Sequence, residues 1–217
     1  MDRFKYPRTH HLPSSPGATD DDRIASAATV SALVGKQVVV TEKMDGENST
    51  LYPDGYSHAR SLDSGHHPSR STLKQAAATI AFTFPDDYRI CGENLYAKHS
   101  IGYDCLESYF QVFSIWEGDY CFDWDYTEMM VDSLNLTSVP IIWKGIFESE
   151  EQVVNIFQAY EVWTGREVEG FVVRTRAGFS IEEFPEKVLK YVRPNHVTSS
   201  SEHWSHTDVV PNRLKDY

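Results

Sequence analysis

The run Gln37-Val38-Val39-Val40-Thr41-Glu42 reads as a buried β-strand, and it delivers Lys43-Met44-Asp45-Gly46 to a strand end. A lysine amine is thereby set beside a carboxylate where the chain turns. Such a lysine is placed to attack a phosphorus, and such a carboxylate to help hold a metal. On an extended strand Asp45 shares a face with Lys43, so it binds a magnesium water or orients the amine. Gly46 lets the turn approach a nucleotide closely. To attack, the lysine must lose a proton held with a pKa of ~10.4 in water, and we expect desolvation or nearby positive charge, a bound metal included, to lower it. Taken alone, Lys43 would be a surface lysine and Asp45-Gly46 an ordinary turn.

The rest of the chain alternates short strands, turns and a few helices. The first twenty-two residues, with Pro7, Pro13, Pro16, Gly17 and Asp20-Asp21-Asp22, read as an irregular arm. A short helix is expected within Asp22 to Leu33. Ser49 to Tyr52 and Tyr56 to Arg60 form a hairpin around Pro53-Asp54-Gly55. Ser71 to Phe82 is alanine-rich and helical, with Ser71 as N-cap. Strands follow at Tyr88 to Glu93 and Tyr109 to Trp116, then a helix at Tyr126 to Leu134 and a strand at Val139 to Ile146. Ser149-Glu150-Glu151-Gln152 is a capping-box sequence that opens a helix. The last strands are Val168 to Thr175, Phe179 to Glu183 and Val188 to Arg193, and a polar tail covers 194–217. Strands outnumber helices and hairpins dominate. We expect one α+β domain over 1–217, with twisted antiparallel β-sheets flanked by helices and the site between the sheets.

Composition narrows the function classes. No apolar run approaches the ~20 residues that cross a bilayer, and Met1-Asp2-Arg3-Phe4-Lys5 lacks the apolar core of a secretion signal, so a soluble, cytoplasmic protein is expected. Three cysteines without Cys-x-x-Cys spacing indicate neither a disulfide framework nor zinc. The net charge of -12 argues against broad attraction to a polyanion, although 20 Lys and Arg can still gather on one face.

Four further stretches accompany the lysine: Gly92-Glu93-Asn94-Leu95-Tyr96-Ala97-Lys98-His99-Ser100-Ile101, Phe110-Gln111-Val112-Phe113-Ser114-Ile115-Trp116, Glu169-Gly170-Phe171-Val172-Val173-Arg174, and Val188-Leu189-Lys190-Tyr191-Val192-Arg193. In this order they resemble the motifs of the covalent nucleotidyltransferases, and the first is most similar to the ATP-dependent RNA ligase branch. The resemblance runs from about Lys5 to Trp204. It implies an ATP-grasp-like adenylation domain without an appended OB domain, ATP and magnesium or manganese as cofactors, and AMP carried on Lys43.

The resemblance also implies roles. Glu42 would read the adenine edge through its backbone or side chain, Arg60 would hold ribose or phosphate, and Glu93 would contact ribose hydroxyls or metal waters. Phe113 would stack on the purine, with Phe110 and Trp116 as competitors. Relatives often carry Asp after this Phe, where Ser114 stands here. Glu169 would coordinate the metal together with Asp45 and Glu93. Alternation puts Glu169, Phe171 and Val173 on one face, so Arg174 faces away and serves the fold through a salt bridge. Lys190 would balance charge on the α-phosphate; the family's second lysine is missing, leaving Lys187 or Arg193 as substitutes. Arg8, His10, His11, Lys98, Arg193 and His196 are candidates for RNA contact. The implied activity is sealing of an RNA 5′-phosphate to a 3′-hydroxyl at RNA ends or nicks. Little chain follows the Val188 to Arg193 stretch, so help from a partner protein or domain is expected in gripping RNA. The alternatives are a DNA ligase, a capping-type guanylyltransferase, or a catalytically silent nucleotide-binding module.

Overall fold

A computed structural model describes residues 2–64, 67–194 and 209–216. Its strands form two twisted, mainly antiparallel sheets, as the hairpin-rich pattern predicts. The first sheet runs β1 (His10–His11), β12 (Val188–Val192), β10 (Gly170–Thr175), β2 (Gln37–Lys43), β9 (Ile141–Ile146). The second runs β11 (Phe179–Ser180), β7 (Tyr120–Cys121), β6 (Phe110–Glu117), β5 (Tyr88–Asn94), β3 (Glu47–Leu51), β4 (Ser57–Ala59), with β8 (Thr137–Ser138) parallel to β6.

Helices cover the outer face of each sheet. Under the first, α1 (Ala27–Leu33) and α4 (Glu150–Thr164) contribute Leu33, Val153 and Phe157 to a core that also holds Val38, Val40, Phe171, Val173 and Leu189. Under the second, α2 (Ser71–Thr79) and α3 (Trp124–Ser133) cover Leu51, Ile90, Val112 and Ile115. Val39 points the other way from Val38 and Val40, into a cluster with Met44, Leu95, Tyr103 and Trp124. This explains why β2 reads as an unbroken valine run: a strand buried on both faces needs apolar side chains in both directions.

Ser149 caps α4 as expected, accepting from the Gln152 amide, and Gln152 Oε1 accepts from the Glu148 amide. Gly165 ends it in the left-handed conformation. Elsewhere the local reading needs correction. Ser71 is not the cap of α2: a 3₁₀ turn over Pro68–Arg70 feeds the helix, and the His67 ring accepts from the Ser69 amide. Only Phe179–Ser180 of the expected Phe179 to Glu183 strand is extended. Ser180 and Glu183 cap each other, and that local pairing turns Ile181–Glu183 into a 3₁₀ helix.

Both ends of the chain are built into the fold more firmly than an arm and a tail would be. His10 and His11 lie parallel to β12, opposite Leu189 and Lys190. Residues 209–216 return to the 95–109 loop, where Asn212 is buried. Its amide group donates to Leu95 O at 2.8 Å and accepts from the Tyr103 amide at 2.9 Å. No helix among the described residues is long and apolar enough to cross a membrane.

The close packing of β10 against β12 is testable. A Cβ on Gly170 would lie 1.9 Å from the Tyr191 carbonyl oxygen. Overpacking of this kind costs ~1–3 kcal/mol, and each kcal/mol lowers Tm by about 2–4 °C in a domain of this size. Gly170→Ala is therefore expected to melt several degrees below the parent in a thermal scan; an unchanged Tm would contradict the register.

Candidate active site

The groove between the sheets holds a cavity of about 230 Å³. Thr41 and Lys43 of β2, Val172 and Arg174 of β10, and Val188 and Lys190 of β12 form one wall. Glu93 of β5 and Phe113 of β6 form the other, and Arg60, just after β4, also lines it. Residues far apart in the sequence thus meet as the ordered motifs predict. Of the three aromatic candidates for stacking, Phe113 lines the cavity, while Phe110 and Trp116 are 3% and 0% exposed in separate cores.

Lys43 Nζ donates to Glu169 Oε1 at 2.5 Å. Glu169 precedes β10 and leaves its alternation, so its carboxylate enters the groove while Phe171 and Val173 pack behind the sheet. Burial pulls the Lys43 pKa down, but the carboxylates of Glu169, Glu93 and Asp45 outweigh it and hold the amine above the ordinary lysine value. In the metal-free site the expected lowering is therefore absent. In the free protein the amine is an ammonium ion.

The same crowding acts on Glu93. Burial, with Glu169 and Asp45 adding to it, pushes its carboxyl up to about 8 against the pull of Lys43 and the Gly46 amide. Glu169 and Asp45 around one ammonium, with the Glu93 carboxyl group crowded beside them, make a site whose acidic groups a divalent cation would relieve. Among the described residues no three His, Cys, Asp or Glu side chains converge as a closed ligand set. Magnesium does not require one, since it takes one or two carboxylates together with water and substrate phosphates.

Asp45 and Gly46 are held from behind. The Ile101 amide donates to Asp45 Oδ2 at 2.7 Å, and the Asp45 amide donates to the Tyr103 hydroxyl at 2.8 Å. Asn212 fixes the loop that carries both partners, so the C-terminal segment supports the turn after Lys43. Gly46 lacks a side chain for a reason other than nucleotide approach: a Cβ there would meet the Asn94 carbonyl oxygen at 2.5 Å.

Four other expectations change. The Glu42 carboxylate turns away from the cavity, accepting from Arg166 Nη1 at 2.7 Å and from the Tyr160 hydroxyl at 2.7 Å, so only its backbone is presented to the groove. Arg174 does not face away. It is 4% exposed on the groove side and donates to Phe122 O at 2.8 Å, which joins the sheets without a salt bridge. His11 is 1% exposed and bonded to Ser15 Oγ, so it cannot contact RNA. Burial, reinforced by Lys190, lowers its pKa to about 4 and keeps it neutral near pH 7. Arg193 lies outside the cavity, paired with Glu167. Lys98 is exposed and also outside it, and His10 is partly buried beside Arg8 and Arg23. His196 lies outside the described residues.

Asp22 and Tyr6 are among the cavity residues that escaped the sequence reading. Asp22 accepts from Lys190 at 3.5 Å and lies 3.2 Å from His11 Nε2. Burial opposes its ionisation, yet hydrogen bonds from Thr19 and the charge of Lys190 hold it at about 2. Burial lowers the Lys190 pKa, Asp22 opposes this, and Lys43 adds to it. Tyr6 packs edge-on against Phe113, with ring centroids 5.1 Å apart. Asp22 lay hidden in an acidic triplet, and nothing in the sequence singled out Tyr6.

The raised Glu93 pKa has a stability consequence. The folded state keeps a proton that the unfolded chain releases near 4.5, so the parent loses stability as pH rises from about 4.5 to about 8. Glu93→Gln does not titrate. Its melting temperature is expected to exceed the parent's at pH 8.5 by at least about 2–4 °C, the shift per kcal/mol for this size, with the gap closing near pH 4.5. A pH-independent difference between the two would contradict the crowding.

The RNA ligase family model matches residues 36–192, from the start of β2 to the end of β12. An archaeal ATP-dependent RNA ligase structure superimposes with a TM-score of 0.59 at 22% identity, covering 87% of this chain and 48% of that one. Naegleria gruberi RNA ligase with PPi gives 0.58 at 15% identity, covering 89% and 61%. A Naegleria gruberi RNA ligase variant with ATP and Mn gives 0.54 at 15%, covering 76% and 52%. The chain spans about half the length of the archaeal structures, and at these identities the likeness is one of fold. No curated protein matches the chain. With the family model matching most of its length, the chain belongs to the RNA ligase family.

Proposed function

We propose that the chain acts as one adenylyltransferase domain of an ATP-dependent RNA ligase. The observation that carries this reading is that Lys43, Glu93, Phe113 and Lys190, from four strands of two sheets, face a single cavity. The purine of ATP stacks on Phe113 with Val172 also in the wall, an interaction worth ~1–3 kcal/mol per base on comparable platforms. Arg60 holds ribose or phosphate through its forked donors. Lys190 exchanges the Asp22 carboxylate for the α-phosphate.

Lys43 gives its proton to Glu169 Oε1, the base 2.5 Å away, and its lone pair forms a P–N bond to the α-phosphorus as pyrophosphate departs. Glu93 and Glu169, with Asp45 behind them, would hold magnesium or manganese, which when bound would supply positive charge that favours the neutral amine and offsets charge on the α-phosphate. AMP then passes from Lys43 to an RNA 5′-phosphate, and a 3′-hydroxyl displaces it to seal the strand. The same cations serve each transfer. Exposed Lys98 and partly buried His10, both outside the cavity, contact RNA phosphates in this reading.

Nicked RNA duplex incubated with the protein, ATP and magnesium is expected to give sealed strand. Lys43→Ala is expected to lower the rate by at least about 10³-fold, as loss of a nucleophile does, and GTP is not expected to replace ATP. Equal sealing by the variant would rule out the covalent route.

A further inference from the structure

Five cationic side chains line the cavity among the described residues: Arg8, Lys43, Arg60, Arg174 and Lys190. Three are engaged from within, Lys43 by Glu169, Lys190 by Asp22, and Arg174 by main-chain carbonyls. Arg60 is already assigned to ribose or phosphate. Arg8 has no carboxylate partner among the described residues, and its guanidinium makes one hydrogen bond, from Nη2 to Asp21 O at 2.9 Å. Most of its five donors remain available.

The arm is fixed on both sides of this residue. Two positions before it, Tyr6 is wedged against Phe113, Trp116 and Phe184, at 5.1, 6.4 and 5.4 Å between centroids. Two positions after it, His10 and His11 pair with β12 opposite Leu189 and Lys190. Pro7 restricts the backbone between these anchors. Arg8 therefore spans from the second sheet to the first, along the groove that holds Lys43, on a segment outside the stretch that the family model matches.

We propose that Arg8 holds the β- and γ-phosphates of ATP and steadies pyrophosphate as it leaves. The assignment rests on the reading that Lys43 takes AMP from ATP. In that step the P–N bond forms, the bond from the α-phosphorus to the α,β-bridging oxygen breaks, and its electron pair departs on pyrophosphate. Negative charge grows on the leaving oxygen, where a planar guanidinium offers paired donors. Arg8 then takes part in the one step of the three that involves pyrophosphate.

That difference supplies the test. In the full chain, Arg8→Ala is expected to slow formation of the Lys43 adduct from ATP by about 10- to 100-fold, the effect of removing a charged hydrogen-bond donor. The same variant should need more pyrophosphate to reverse the adduct, and Arg8→Lys should recover part of both. Sealing of RNA that already carries a 5′-adenylate, which releases AMP and no pyrophosphate, is expected to proceed at the parent's rate. Equal slowing of both reactions, or no slowing of adduct formation, would overturn the assignment. Failure of the parent itself to take up AMP would instead overturn the ligase reading on which it rests.

Discussion

The pairing of β2 with β10 sets Lys43 opposite Gly170, and that register decides the electrostatics of the groove. Because Gly170 has no side chain, β12 can close against β10 from the other side, bringing Lys190 into the same wall. Glu169, one residue earlier, is left at the strand end with its carboxylate free to turn toward Lys43. A one-residue slip would move Lys43 to the face occupied by Val38 and Val40, away from Glu169 and the cavity. The valine run that fills both faces of β2 prevents that slip.

Charge balance is the second theme. The protein carries a net charge of -12, and the groove pairs its cations internally. Glu169 sits on Lys43 and Asp22 on Lys190, so neither of these two ammonium groups is naked. Burial, with Glu169 and Asp45 adding to it, raises Glu93 to about 8, and the neighbouring carboxylates hold Lys43 protonated. The free site is therefore at rest. On the proposed function, ATP arriving with a divalent cation would change both, taking the place of carboxylates on the lysines and neutralising those that remain.

Much of this was legible in the sequence, and the exceptions share a cause. The strand before Lys43, the hairpin around Gly55 and the capped helix at Ser149 carry local signals, and all three stand in the structure. Phe113, Glu93 and Lys190 were found through motif order. Arg174 was misread because alternation was counted from Glu169, a residue that leaves the strand before it begins. His11, Asp22 and Asn212 act through partners more than 80 residues away or in another element, such as Lys190 and Leu95, and no period or spacing records such contacts. The termini looked like polar extensions because Pro, Ser and His dominate them; their backbone bonds to β12 and to the 95–109 loop are invisible in composition.

The most direct test of the central claim is intact-protein mass spectrometry with ATP and magnesium, followed by peptide mapping and pyrophosphate treatment. The account predicts a gain of one AMP, located on Lys43 and reversed by pyrophosphate. A folded protein that gains no mass, or carries AMP on another residue, would contradict it.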